Sequence, residues 1–473
     1  MQNKWKFAAA AGIMMLALQG QNAQVLEQDS LALVAFYNST GGQGWNNNNN
    51  WLTGPVSSWY GVTVGGDRVI ELKFYSNNNI NGVIPNEIGN LTALKLLVIG
   101  NNPGLIGNLP GEIANLQFLI GLGIGNCSLT GTIPHGIGNC SNLEFLTLPQ
   151  NNLTGPTPPE IGNLSNLQFL ELFDNQLSGP IPPELANCIN LMELRLNNNN
   201  LNGLLPIELA VLDNLNIFDV SNNALTGPVP DEFSMQISYW FFNIHNNQFD
   251  YLPPFNNWYF MSGLSVFGNK LRFEHLESHA QAGYMWFDYY PQDKTGEAID
   301  TILTLGSNYS IYSGTGGNHT YYEWKRNNLT IAEGEGLDTL FIENFTHADT
   351  GTYICYATNS LLPLLLLERR PVRITVDTIQ NIINNPVPNI HIFPNPATDL
   401  ITIEFTNNNH PLHIKLTDLK GRNVKRFNIT NTGGNTCLID LKGLEDGIYL
   451  LQMQTNTSTY TQKIIKANRA AAY

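Results

Sequence analysis

Leucine sets the rhythm of this chain. Leu119, Leu143, Leu167, Leu191 and Leu215 recur at a constant step of 24 residues, each opening the pattern L-x-x-L-x-L-x-x-N-x-L-x-G. The stretch Leu167-Gln-Phe-Leu170-Glu-Leu172-Phe-Asp-Asn175-Gln-Leu177-Ser-Gly179 shows it complete. Earlier copies begin near Val69 and Leu94, each one residue longer, a weaker copy begins at Tyr239 and a degenerate one near Met261. The alternation around Leu170 and Leu172 predicts a short strand with one face inward. The recurrent asparagine offers hydrogen bonds to the backbone where the chain leaves that strand, and Gly and Pro shape the return path. One such unit cannot bury its apolar face, so the eight or nine copies must stack into a solenoid.

A second signature, G-x-I-P, appears as Gly82-Val-Ile-Pro85, Gly131-Thr-Ile-Pro134 and Gly179-Pro-Ile-Pro182. On these motifs residues 67–275 resemble the plant-like subtype of the leucine-rich-repeat family. The resemblance implies a horseshoe of short strands with a 3-10 or irregular convex side and a concave face open to ligands. Residues 27–66 resemble the cap that precedes such repeats. Asp29 to Tyr37 reads as an amphipathic helix, followed by Trp45, Trp51 and Trp59. Plant members carry paired cysteines in this cap. This chain has no cysteine before Cys127, so aromatic packing must replace them.

Two small β-sandwich domains are expected after the solenoid, which makes the whole chain β-rich. Residues 291–376, beyond a linker at 276–290, resemble an immunoglobulin-like domain. Trp324 matches its core tryptophan, and Tyr353 stands two residues before Cys355, where a tyrosine corner belongs. No second cysteine lies between Cys188 and Cys355, so the inter-sheet disulfide is missing. After a linker at 377–387, residues 388–466 carry Phe393-Pro394-Asn395-Pro396, Lys420-Gly421-Arg422, Gly447-Ile-Tyr449 and Lys463-Ile-Ile-Lys466. These resemble the sorting domain of the type IX secretion system of Bacteroidota, which implies handling by that machinery.

Composition agrees with an exported chain. Lys4 and Lys6 followed by the apolar run Phe7 to Leu18 read as a signal peptide over 1–23, and no later run is long enough to span a membrane. Only 13% of residues are charged, and the formal net charge is −15. The basic residues gather at the two ends, so the middle of the chain is the most acidic part. Such a surface repels phosphate backbones and anionic lipid, which excludes nucleic acid as a partner. The five cysteines read as structural thiols, with Cys140 and Cys188 standing where sister repeats carry leucine.

The chain carries no catalytic signature. The chain contains no G-x-S-x-G, no G-x-x-x-x-G-K and no H-E-x-x-H. His275 and His279 are four apart but lack a specified third ligand, so no metal or cofactor is expected. Binding is the remaining chemistry. Residues between the leucines should face the concave side, and they give a candidate ligand site of Phe145, Phe169, Glu171, Phe173, Asp174, Arg195, Asp219 and Phe241. Exposed aromatics rimmed by charge are the composition of a recognition hot spot; equally, such rings can simply cover strand backbone. The expected function is non-enzymatic recognition of a protein or glycan outside the cell or on its surface, as an adhesin. The alternative is a secreted accessory factor that binds a soluble peptide or polysaccharide for a separate enzyme.

Overall fold

A computed structural model describes residues 25–235, 240–255, 262–376, 390–395, 397–405, 413–418, 422–428, 436–454 and 459–467. The signal peptide and the 377–387 linker expected from sequence lie outside these residues. The chain divides into two compact units, of which the first holds the repeats.

In the first unit, helix α1 (Glu27–Ser39) leads into a run of parallel strands. These are β1 (Arg68–Phe74), β2 (Leu96–Asn108), β3 (Gly121–Gly131), β4 (Phe145–Thr147) and β5 (Phe169–Glu171). They continue as β6 (Glu193–Arg195), β7 (Ile217–Asp219), β8 (Phe241–Asn243), β9 (Gly263–Ser265) and β10 (Trp286–Asp288). Each pairs in parallel with the next. Short 3-10 turns such as Pro159–Asn163 and Pro183–Asn187 form the return path behind Pro158 and Pro182. Leu146, Leu170 and Leu194 share one register, and all three are fully buried.

The asparagines do what their spacing suggested. Asn175 Oδ1 accepts the Leu153 amide of the preceding repeat at 3.0 Å, while its Nδ2 donates to the carbonyls of Leu148, Leu172 and Phe173. Asn151, Asn199, Asn223, Asn247 and Asn269 repeat the accepting contact, so one side chain ties each pair of neighbours. A buried backbone amide left without such a partner would cost free energy. Cys127 occupies this position in β3, where its Sγ lies 3.5 Å from the Gly125 carbonyl. There the long strands β2 and β3 hold the interface instead through main-chain pairing as far as Asn108 and Thr130.

Both ends of the stack are closed. At the start, Phe36, Tyr37, Trp45, Trp51, Trp59 and Phe74 form one ring cluster with centroids 4.8–5.9 Å apart in neighbouring pairs. Asp29 is buried and bridges the cap to β1, accepting the Val69 amide at 2.7 Å and pairing with Arg68 at 3.0 Å. At the far end the segment expected as a linker, 276–290, is structured. It completes helix α2 (Phe273–Ala280) and supplies β10, one strand more than the repeat pattern announced. Helix α2 is tied to the following residues through Glu277, whose Oε1 accepts from the amides of Asn318 and His319 and from Asn359 Nδ2. Gln292 then closes the asparagine ladder by accepting the amides of Asn269 and Leu271.

Later in the first unit, Thr320–Arg326 and Leu329–Glu335 form an antiparallel pair. Trp324 is fully buried there and donates its Nε1–H to the Leu337 carbonyl at 2.8 Å. In the second unit the Tyr353 hydroxyl donates to the Asp349 carbonyl. That unit also contains two sheets, Ile390–Phe393 with Leu400–Phe405 and Thr436–Asp440, and His413–Asp418 with Asn423–Asn428, Gly447–Gln454 and Thr459–Lys466. Ile401, Ile403, Ile414, Leu416, Leu451 and Ile464 from both sheets share one buried core, as a sandwich requires. Among the described residues no helix is long and apolar enough to cross a membrane.

Candidate functional site on the repeat sheet

Because Leu170 and Leu172 point inward, the residues between them point out. Parallel registration lines these outward residues up in columns. One column runs Gly121, Phe145, Phe169, Glu193, Ile217, Phe241, Gly263 and Trp286. Beside it run Gly123, Thr147, Glu171, Arg195, Asp219, Asn243, Ser265 and Asp288.

The expected site residues fall into two groups. Phe145 and Phe169 stack with ring centroids 5.1 Å apart and planes 10° from parallel, and Phe145 keeps 38% of its surface exposed. Glu171 lies one column over, and Arg195 on the next strand approaches it at 3.6 Å. Arg195 Nε is held more closely by Glu193, at 3.0 Å, a residue that sequence reasoning passed over. Its signal was present, since Glu193 takes the place of Phe169 one repeat on. Burial pushes the Glu171 carboxyl up, against the pull of Arg195, and Glu193 adds to the rise. Phe173 is half-buried on the same strand exit, and no ring contact joins it to the stacked pair among the described residues.

The others do different work. Asp174 holds a positive φ of 54°, in line with Asn126, Gln150, Asn198 and Asn222 at the same turn, a conformation that Asn and Asp tolerate best. Its carboxylate accepts from Asn198 at 2.6 Å and Gln150 at 3.4 Å. Asp219, expected on an exposed rim, is buried at 8% exposure. Its oxygens accept from the Ser221 amide and hydroxyl and from Asn243 Nδ2. Phe241 lies three strands away from Phe169 and faces Trp286 edge-on at 6.4 Å. It belongs to a separate aromatic pair.

Other reactive types are absorbed by the fold. Both ring nitrogens of His279 are engaged, with the Tyr284 hydroxyl at 3.0 Å and the Pro253 carbonyl at 3.1 Å, and burial lowers its pKa to about 4. The buried thiols of Cys140, Cys188 and Cys355 are pushed up to about 11, about 12 and about 12. They are poor nucleophiles as a result.

Comparison with known proteins follows the same division of the chain. Residues 67–277 match the leucine-rich repeat region family, and residues 391–467 match the secretion system C-terminal sorting domain. A search of curated proteins finds no match. Among solved structures, the plant peptide hormone receptor RGFR1 in complex with RGF2 is 30% identical at a TM-score of 0.44, over 48% of this chain and 38% of that one. The ectodomain of the receptor kinase GASSHO1/SCHENGEN3 from Arabidopsis thaliana is 28% identical at 0.47, over 56% and 35%. A plant ice-binding protein is 23% identical at 0.49, over 58% and 89%. The chain thus spans well under half the length of either receptor structure.

Proposed function

We propose, for a chain that is a leucine-rich-repeat protein carrying a type IX secretion sorting domain, that it works outside the cell as a non-catalytic binding protein. It recognises a protein or glycan through the outward face of the repeat sheet. The observation that carries this reading is the stacked Phe145–Phe169 pair beside Glu171, with Phe145 exposed and Phe169 half-buried on the outward face. Apolar rings kept in solvent next to partly desolvated charge are poor for solubility and good for recognition.

Finer assignments complete the picture. Residues 1–23 serve as the signal peptide. Residues 291–376 are immunoglobulin-like and act as a spacer or second contact. The protein is retained at the bacterial surface as an adhesin; recovery wholly in the medium would favour the released accessory factor instead. Deleting residues 388–466 traps the chain in the periplasm, and normal surface levels of the truncated form would refute the sorting role.

The binding site itself is tested with a glycan and protein array probed with the full chain. Phe169→Ala weakens the resulting interaction by about 2 kcal/mol or more in calorimetry. Phe118→Ala, at a 61% exposed ring outside the strand face, leaves it unchanged. Equal affinity for wild type and Phe169→Ala removes this patch from the binding surface.

A further inference from the structure

Ring, carboxylate and ring alternate along residues 169–173, with Phe169 and Glu171 on β5 and half-buried Phe173 just past its end. Phe145, one strand away, stacks on Phe169 and widens the apolar surface beside Glu171, whose own register partner there is Thr147. A carboxylate walled by aromatic rings is a receptor for a cation, which gains from both the charge and the ring faces. The protein's own cation satisfies this place only in part. Arg195 is shared between two carboxylates, 3.0 Å from Glu193 and 3.6 Å from Glu171. The triad therefore keeps one uncompensated negative charge, on a chain whose net charge is already −15. Lys73, in the same column on β1, is bound to Glu71.

The geometry points to a lysine or arginine side chain of a polypeptide as the group received between Phe145, Phe169 and Glu171, with Arg195 as the internal competitor that sets the threshold for its entry. This rests on the reading of the sheet face as the binding surface and specifies its ligand class. The chemistry favours such a side chain over the alternatives. Its hydrocarbon stem packs on phenylalanine rings while its charged head reaches a carboxylate. A neutral sugar leaves the charge of the triad uncompensated, and an anion is repelled by two carboxylates for the one guanidinium that attracts it. Burial raises the pKa of Glu171, so an arriving cation restores stabilisation that solvent no longer supplies.

The experiment titrates the full chain with capped nonapeptides in which glycine alternates with lysine, arginine, glutamate or leucine. Lysine and arginine peptides bind; glutamate and leucine peptides do not. Glu171→Gln and Phe169→Ala each weaken the cationic peptides by about tenfold or more. Arg195→Gln tightens them several-fold, because it frees both carboxylates. Cooperative thermal melting well above the assay temperature establishes that each variant is folded.

The opposite signs make the proposal easy to overturn. Loss of binding in Arg195→Gln, or preference for the glutamate peptide, identifies an anion site instead. Unchanged affinity in Glu171→Gln overturns it, as does failure of both cationic peptides to bind. A glycan found on the array that depends on Phe169 but not on Glu171 overturns the ligand class and leaves the sheet face as the binding surface.

Discussion

Strands β3 and β5 stand two repeats apart and differ completely on one side only. Inward, Leu122 and Ile124 of β3 match Leu170 and Leu172 of β5, and all four are fully buried. Outward, β3 presents Gly121 and Gly123 where β5 presents Phe169 and Glu171, and Gly125 stands two residues on where Phe173 follows β5. The backbone register is the same through both. The difference teaches that alternate positions of one strand carry independent messages. The buried set fixes the phase of the stack, and the exposed set is free to become bare backbone or a walled carboxylate. Even the tie between neighbours follows this division. Between the repeats of β4 and β5 it is the side chain of Asn175, and between those of β2 and β3 it is main-chain pairing past Cys127.

The sharpest way to break the comparison is to truncate adjacent residues of β5. Leu170→Ala is expected to cost about 2–5 kcal/mol in urea denaturation through the cavity it leaves. Phe169→Ala should cost about 0.5–1.5 kcal/mol, since its half-buried ring faces outward and loses chiefly its stack on Phe145. Similar losses in both would mean that the two faces are not independent. Asn175→Ala comes next, at about 1–3 kcal/mol, because the Leu153 amide loses its acceptor. Cys127→Ala should cost less than that, as main-chain pairs hold its interface.

On the bare side, Gly100→Ala is expected to stabilise by about 0.4–1 kcal/mol in thermal melts, by restricting the unfolded chain. The new Cβ meets nothing nearer than the Tyr75 carbonyl oxygen at 3.4 Å. The smallest effect concerns Glu171, whose folded pKa is raised mainly by burial. Below the carboxylate range the group is neutral in both folded and unfolded chains and contributes nothing. As pH rises through that range the folded chain holds a partly desolvated charge, so wild type loses ground to Glu171→Gln. Melting temperatures should show the variant equal to wild type in acid and equal or higher at neutral pH; a gap that widens on acidification would reverse the sign.

Much of the solenoid was legible because its message is repeated. Leu119 to Leu215 fix the strand phase five times over, and Asn175 has sisters at the same step, so a pattern can be read without its partners. What was missed occurs once. Asp29 looked like a helix start and is instead the buried bridge to Arg68. Gln292 finishes the ladder without being an asparagine, and Trp286 begins a strand in a stretch without leucine spacing. The site was half legible for a related reason. Column membership follows from the 24-residue step, which brought Phe145 to Phe169 and Glu171 to Arg195. Side-chain partnership does not follow from it. Nothing in the spacing separates Asp219, drawn inward by Ser221 and Asn243, from Glu171, which stays part-exposed.

The ladder of asparagines ends on residues outside the repeats: the Asn47 amide donates to Asn78 at one end, and Gln292 closes the other. From Asn151 to Asn247 its members are interchangeable, each accepting an amide from the repeat before while an amide of its own repeat donates to the asparagine after. Gene duplication or loss of a single 24-residue unit within that stretch would leave every joint chemically intact. Each event would lengthen or shorten the sheet by one strand spacing, about 4.8 Å, and would carry three outward side chains with it. The architecture therefore makes length a heritable variable, adjustable in whole steps, while the start and stop of the array are inherited unchanged.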